Sequence, residues 1–423
     1  MSGPITSARR AARARMYTGL SWAHAKVRGD EFSRLMLTTG MRDPCPHYRR
    51  LREAGPLALS SSGVWAITGH RLCGQVLRDS RFGVRTVPYQ RDAQGPLEYQ
   101  QGAEEDFSVL GLDPPDHGRV RKLAAPAFRP KTMASYRPAI ERVTYELLDR
   151  AADLGSFDLM AELAAPLPIR VIAELLGVPD EYSGPFRDYG AIVAKSIDGS
   201  PSAMNVPELG AATRALEELF AELLTRRARE PGNDILSQIA ADHAADRISP
   251  REVLALCRIL LIAGFETTVN LVGNGMLALL NDPEQWAALN ARPELATAVT
   301  EETLRYDPPV QATIRYPRET VHLAGRRIGA AEPMYVLTGA AGRDATVFAD
   351  PDRFDIRRPA RADHLAFGAG PHYCLGAPLA RLEGEVFFAA VPARLPRLVR
   401  DGPAVRRPMM ALRGLARLPV RAG

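Results

Sequence analysis

Residues Phe367 to Gly376 read FGAGPHYCLG, and the reading of this stretch decides the fold. It sets Gly368, Gly370, Gly376, His372 and one of only four cysteines, Cys374, into ten residues. The run that follows, LGAPLARLEGEVFFAAV, has the spacing of a helix: Pro378 fits a first turn, and Leu379, Leu382 and Val386 recur at steps of three and four. The thiol of Cys374 therefore sits just before a helix N-terminus, where free backbone N–H groups and the partial positive charge favour a thiolate. The glycines let the backbone come close to a flat ligand and aim N–H groups at the sulfur. Such a loop is built to present a tuned thiolate to a large cofactor.

The remaining cysteines, Cys45, Cys73 and Cys257, lie far apart with no CxxC pair, so they read as small buried hydrophobes, and zinc ribbons or disulfide scaffolds do not fit. A reducing, cytoplasmic setting is the expectation. No stretch reaches about 18 uninterrupted apolar residues, and the N-terminus lacks the apolar core of a signal peptide, so no membrane anchor is expected. With 46% hydrophobic and 24% charged residues in a chain of 423, there is ample material for a large core. No linker divides the chain, so one domain over 29–423 is expected, preceded by a basic arm over 1–28 that carries Arg9, Arg10, Arg13 and Arg15. The net charge of +5 favours acidic partners but is too mild to point to nucleic acid. A monomer is expected.

Along the chain, a helix is expected near Pro46 to Ala54, a strand in GVWAITGH and another helix before Phe82. A polar stretch to about Asp106 has no periodicity and is long enough for function. Pro130 to Asn281 is helical throughout, and strand-like pieces return at Gln311 to Tyr316, Val321 to Ile328 and Pro333 to Leu337. The fold class is mainly α with a small β region.

Three further constellations place polar groups where they need a reason. In ISPREVLALCRILLIAGFETTVNLVGNGMLALLNDP, Ser249 is a cap, Pro250 is the first helical residue, and Glu252 completes a capping box. The helix runs to about Asn281 and is apolar nearly all round, yet its middle holds Gly264, Glu266, Thr267 and Thr268. Thr267 can bond back to the Ala263 carbonyl and merely bend the helix. Alternatively, an acid beside an alcohol in a locally opened helix can hold water and pass protons. In EETLRYDPPV, Glu302 and Arg305 lie three apart on one helix face, as a solvated ion pair also would. In LDPPDHGRVRKL, a helix starting after Pro115 puts His117 and Arg121 on one face, an arrangement suited to a carboxylate, while Arg119 and Lys122 fit a solvated basic face.

FGAGPHYCLG resembles the haem-binding signature of the cytochrome P-450 family, Phe-Gly-x-Gly-x-His-x-Cys-x-Gly, six fixed residues whose chance occurrence in this length is below about one in ten thousand. AGFETT is similar to the family's oxygen-activating segment, and Glu302 with Arg305 to its Glu-x-x-Arg motif, whose third member would be Arg353 in DPDRF. All occur in the family's order, and the resemblance covers nearly the whole chain after the basic arm. One departure, GAAGRDATVF where many relatives read closer to Ala-Asn-Arg-Asp-Pro, puts local loop geometry in question.

The resemblance implies a triangular single domain holding haem b between the long helix and the Cys374 loop, with Cys374 as the axial iron ligand. Ala263, Gly264, Thr267, Phe367, Gly368, Leu375 and Gly376 would line the cofactor, while His117, Arg121, Arg315 and His372 would meet its propionates. The implied reaction is monooxygenation with O2, Glu266 and Thr267 managing protons. The substrate would be a small hydrophobic or aromatic molecule of secondary metabolism, in a pocket shaped by about Val84 to Leu110 and by Val310 to Thr313. Oxidative C–C or C–O coupling, peroxide-driven oxidation, and a haem sensor or carrier stand as alternatives. No flavin or nicotinamide signature accompanies the motifs, so electrons from NAD(P)H would arrive through a separate reductase and an acidic ferredoxin docking near Arg121, Lys122 and Arg381.

Overall fold

The computed structural model describes residues 24–86, 108–194, 208–232, 234–245, 247–359, 363–409 and 411–423. The basic arm up to residue 23 and the polar stretch 87–107 lie outside the described residues.

The helical body contains α1 (Cys45–Glu53), α2 (His70–Arg78), α3 (Asp116–Ala124), α4 (Pro130–Ala152), α5 (Pro166–Leu176), α6 (Asp180–Ala194), α7 (Leu209–Arg229), α8 (Ile235–Ala244), α9 (Pro250–Asn281), α10 (Pro283–Ala291), α11 (Ala296–Tyr306) and α12 (Ala377–Arg394). The longest, α9, has 32 residues, which at 1.5 Å each span about 48 Å. Its start is fixed by a reciprocal capping box: the Glu252 N–H donates to Ser249 Oγ, and the Ser249 N–H donates to Glu252 Oε2 at 2.9 Å. At its far end Pro283, which has no N–H to continue the ladder, begins α10 instead, capped by Asp282. Helices α5, α6, α11 and α12 pack against α9, and α12 also packs on α4 and α11.

The strands are short. In the largest sheet, β1 (Leu57–Leu59), β2 (Trp65–Ile67), β8 (Met334–Val336), β5 (Thr313–Pro317) and β3 (Phe82–Gly83) lie in that order, with only β2 and β8 parallel. Arg315 stands opposite Met334, which itself stands opposite Trp65. A hairpin of β6 (Val321–Leu323) and β7 (Arg326–Ile328) follows β5. Two elements lie where no strand was expected. One is β4 (Ser156–Asp158), inside the helical region, paired with β12 (Pro419–Arg421), which also pairs with β9 (Val399–Arg400). The other is the antiparallel pair β10 (Val405–Arg406) and β11 (Leu415–Arg417). Runs of two or three residues are too short for an alternating pattern to show.

One large apolar cluster runs through the helices, and a second lies under the sheet around Leu57, Trp65, Ile67, Phe82 and Met334. Cys257 and Cys73 are fully buried within these two clusters, and burial pushes the Cys257 thiol up to about 12. Both behave as small hydrophobes. The departing loop GAAGRDATVF adopts a short helix, Thr338–Ala341, and packs its Arg343 guanidinium 3.6 Å from the Tyr306 ring while donating to the Tyr306 carbonyl.

Candidate active site

The cysteine loop is held from three sides. Within it, the Cys374 N–H donates to Phe367 O at 2.8 Å and the Gly368 N–H to Leu365 O at 2.9 Å. Gly370 has φ +68°, and a Cβ there would sit 2.4 Å from the backbone oxygen of Leu77 in α2, so only glycine lets the loop seat on that helix. From the third side, Arg121 of α3 donates to Tyr373 O at 2.7 Å. Cys374 then precedes α12, whose first residue is Ala377. Burial pushes the thiol up, while the Gly376 N–H, Arg121, the Ala377 N–H and Arg381 act in the opposite sense. Phe367 lies under the Arg381 guanidinium at 4.6 Å, and Leu375 packs against the main core.

Gly376 differs from Gly370. Its φ is −82°, and a Cβ there would meet only Cys374 Sγ, at 3.9 Å. Neither backbone strain nor protein packing demands glycine at 376, which leaves a flat group over the sulfur as the reason. Gly264 of α9 is similar, because its Cβ would find only Ile172 at an ordinary 3.6 Å.

Beside the loop, α3 and β5 bring His117, Arg121 and Arg315 up to His372 of the loop itself. His117 is 2% exposed, with its ring 4.2 Å from that of His372. The buried Nε2 atoms of both histidines have no hydrogen-bond partner among the described residues. Arg315 is 5% exposed, donates only to Thr313 Oγ1 and the Ile314 carbonyl, and makes no ion pair among the described residues. Burial lowers its pKa to about 10. Burial, with His372 and Arg121 nearby, lowers that of His117 to about 4. The one carboxylate at hand, Asp113, lies 3.9 Å from His372 Nε2 but is committed to Arg318 and to the Val84 and Arg85 N–H groups. Orphaned donors and unspent positive charge at this depth require an anion. Two carboxylates of a haem would satisfy them, so the residues present fit that group.

On α9, Thr267 Oγ1 donates to Ala263 O at 2.6 Å, the first of the two arrangements open to it. Thr268 Oγ1 donates instead to Glu383 of α12 at 3.3 Å. Glu266 is 3% exposed and pairs with Arg407 at 2.5 Å.

The Glu302–Arg305 pair is buried, with Arg305 Nε and Nη2 donating to the carboxylate at 2.8 and 2.7 Å. A correction concerns its third member. Arg353 contributes only its backbone carbonyl, which accepts from Arg305 Nη2 at 2.9 Å. The guanidinium that reaches Glu302 is that of Arg358, whose Nε lies 3.2 Å from both carboxylate oxygens. The Arg353 side chain is exposed, and its place in the turn puts its carbonyl rather than its charge inward.

A cytochrome P450 family model matches residues 212–394, which include α9, the Glu302–Arg305 pair and Cys374. A curated relative, cytochrome P450 107B1 of Saccharopolyspora erythraea, is 40% identical and covers 89% of this chain and 94% of its own. The chain belongs to the cytochrome P450 family. The 6-deoxyerythronolide B hydroxylase of the same organism is 35% identical, covering 88% of this chain and 95% of its own. Among solved structures, P450BioI in complex with an acyl carrier protein ligated to hexadec-9Z-enoic acid matches with a TM-score of 0.82 at 35% identity, covering 90% and 99%. This P450 is therefore a haem-dependent monooxygenase that uses dioxygen and takes electrons from a redox partner. No helix of the described residues is long and apolar enough to cross a membrane.

Three functional-site residues of this P450 escaped the sequence reading. Glu383, fully enclosed by α12 and α9, is pushed by burial up to about 8, with the Thr268 hydroxyl opposing. Its signal was faint but present, because it falls four after Leu379 and one after Leu382, on the edge of the apolar stripe. Arg358 and Arg407 partner residues far away in sequence, so spacing carries no trace of them.

Proposed function

We propose that this P450 binds haem b with Cys374 as the axial ligand and oxidises a small hydrophobic or aromatic molecule in natural-product metabolism. Electrons would come from NAD(P)H through a ferredoxin and its reductase. The observation that carries the reading is the set of buried His117 and His372, whose Nε2 atoms lack hydrogen-bond partners, and buried Arg315, which has no ion pair among the described residues, gathered beside a glycine-cradled cysteine. When bound, the haem supplies the site at which dioxygen is activated.

The chain's own residues do the rest. Cys374, Gly376 and the α12 N-terminus hold the ligand sulfur and its negative charge. His117, Arg121, Arg315 and His372 anchor the propionates. Gly264 keeps α9 clear of the haem face, and Thr267, once its hydroxyl turns from Ala263 O, stands beside Glu266 to hold water and hand on protons. Residues Val310 to Thr313 line the substrate pocket. The relatives support a hydrophobic substrate: one is named for 6-deoxyerythronolide B, and P450BioI was captured with a sixteen-carbon acid on its carrier.

For the electron donor, Lys122 is exposed on α3 and free to meet an acidic surface. Arg381 is less available, because it already pairs with Glu301 at 2.7 Å and donates to the Tyr373 hydroxyl. The test is spectroscopic. The reduced, carbon-monoxide-treated protein is expected to show the long-wavelength Soret band of sulfur ligation, and Cys374→Ser to lose it. A Soret ligand screen then reports the substrate class, and Lys122→Glu is expected to weaken ferredoxin-supported turnover with a reduced salt dependence. Retention of the band by Cys374→Ser overturns the reading.

A further inference from the structure

Apolar though α9 is, one of its faces carries a polar ladder. Glu266, Asn270 and Asn274 follow one another at four-residue steps and are 3%, 0% and 1% exposed. All three are met by the segment that joins β10 to β11. Arg407 pairs with Glu266 at 2.5 Å through Nη1 and donates through Nη2 to Asn270 Oδ1 at 2.6 Å. Its neighbour Arg406 donates to Asn274 Oδ1 at 2.9 Å and to Asp307 at 2.7 Å. The approach is tight, since a Cβ on Gly414, across the hairpin, would stand 1.7 Å from Asn270 Oδ1. The same segment is stitched to the stretch after α11: Val310 pairs with Leu412, the Gln311 N–H donates to Ala411 O at 2.7 Å, and the Arg413 N–H to Pro309 O at 2.8 Å.

We propose that Arg407 is the positioning residue of the acid Glu266, fixing its carboxylate in the charged form and tethering it to the segment paired with Val310. This rests on the reading of Glu266 as a proton-handling group. One guanidinium bridges Glu266 and Asn270, so the carboxylate direction is set by a residue that never meets the reacting atoms. Removing that guanidinium takes away the positive charge it places 2.5 Å from the carboxylate and so favours the neutral acid.

The full-length holoprotein is compared with Arg407→Lys, Arg407→Met and Glu266→Gln, using NADPH, a surrogate ferredoxin and its reductase, without added substrate. Dioxygen reduced to hydrogen peroxide takes two electrons, about one NADPH per dioxygen, whereas reduction to two waters takes four electrons and four protons, about two NADPH. Glu266→Gln is expected to move the ratio toward one with more peroxide, Arg407→Met to match it, and Arg407→Lys to stay near wild type. Infrared difference spectra give a readout independent of turnover: Arg407→Met should gain a protonated-carboxyl band that is absent from Arg407→Met/Glu266→Gln. Imidazole titration of the Soret band should remain within about twofold in every variant. If Glu266→Gln shifts the ratio and Arg407→Met does not, the tether is refuted while the acid's role stands. If Glu266→Gln leaves the ratio alone, the acid's role fails and the tether's function with it. Should Arg407→Met lose haem, Arg407→Gln, which keeps a donor for Asn270 but no charge, decides the matter by the same criteria.

Discussion

Replacing Arg305, Arg358 and Arg353 one at a time by methionine separates three arginines that differ sharply in what they hold. Arg305 makes five hydrogen bonds of 2.7–2.9 Å, two to Glu302 and one each to the carbonyls of Gly342, Pro351 and Arg353. Its loss leaves buried carbonyls bare and a carboxylate held only by Arg358 and the Asp355 N–H, which costs about 4 kcal/mol. Arg358 makes two longer contacts to Glu302, at 3.2 Å, and reaches the carbonyls of Ala349, Asp350 and Arg353. Glu302 keeps Arg305 when Arg358 is removed, so the cost falls to about 2 kcal/mol. Arg353, exposed and with only its backbone engaged, should cost less than about 0.5 kcal/mol. The assay is urea unfolding of the holoprotein at matched haem content, followed by far-UV circular dichroism. In thermal scans of a chain this long each kcal/mol moves the midpoint by roughly 1 °C. The double variant Arg358→Met/Glu302→Gln should fall short of the sum of its singles by about 1 kcal/mol, as expected of residues in contact. An Arg353→Met variant as damaged as Arg358→Met would refute the reasoning.

Two glycines of the cysteine loop should fail in different ways. Gly370→Ala, at φ +68° and 2.4 Å from Leu77 O, is expected to lower the melting temperature of the apoprotein, whereas Gly376→Ala leaves it within about 1 °C and instead reduces haem retention, read by pyridine haemochrome content. Glu383 gives a pH dependence with a definite sign. Its pKa rises from 4.5 to about 8 on folding, so the folded state holds a proton that the unfolded chain has released, and stability falls as pH rises through that window. Glu383→Gln should therefore be close to neutral near pH 4.5 and more stable than wild type at pH 8, and equal stabilities at both pH values would contradict the assignment.

Much of this P450 was legible because the decisive signals are local. The FGAGPHYCLG loop, the Ser249–Glu252 capping box and the Glu302–Arg305 step each lie within ten residues of sequence, and each is present as a unit. The choice of Arg353 over Arg358 failed for a physical reason: both lie in one arginine-rich meander, and only the backbone path of the turn decides which side chain faces Glu302. The partners Arg406, Arg407 and Arg413 were out of reach because their ion pairs close over 99 residues or more, and β10 and β11 are too short to announce the hairpin that delivers them. Asn270 and Asn274 were passed over, although they continue Glu266 at four-residue steps, a pattern that marks a buried polar face whenever the rest of a helix is oily.

That face also constrains how α9 can be seated. A greasy cylinder of 32 residues would slide or roll among neighbouring settings of similar energy, since hydrocarbon contacts are nondirectional. Turning α9 by a single residue swings Asn270 and Asn274 about 100° away from Arg407 and Arg406 and costs these buried amides those partners. Ala263 to Thr267, the residues proposed to face the haem, ride on the same rod, so the seating of Glu266, Asn270 and Asn274 against Arg407 and Arg406 also fixes how that earlier turn is presented.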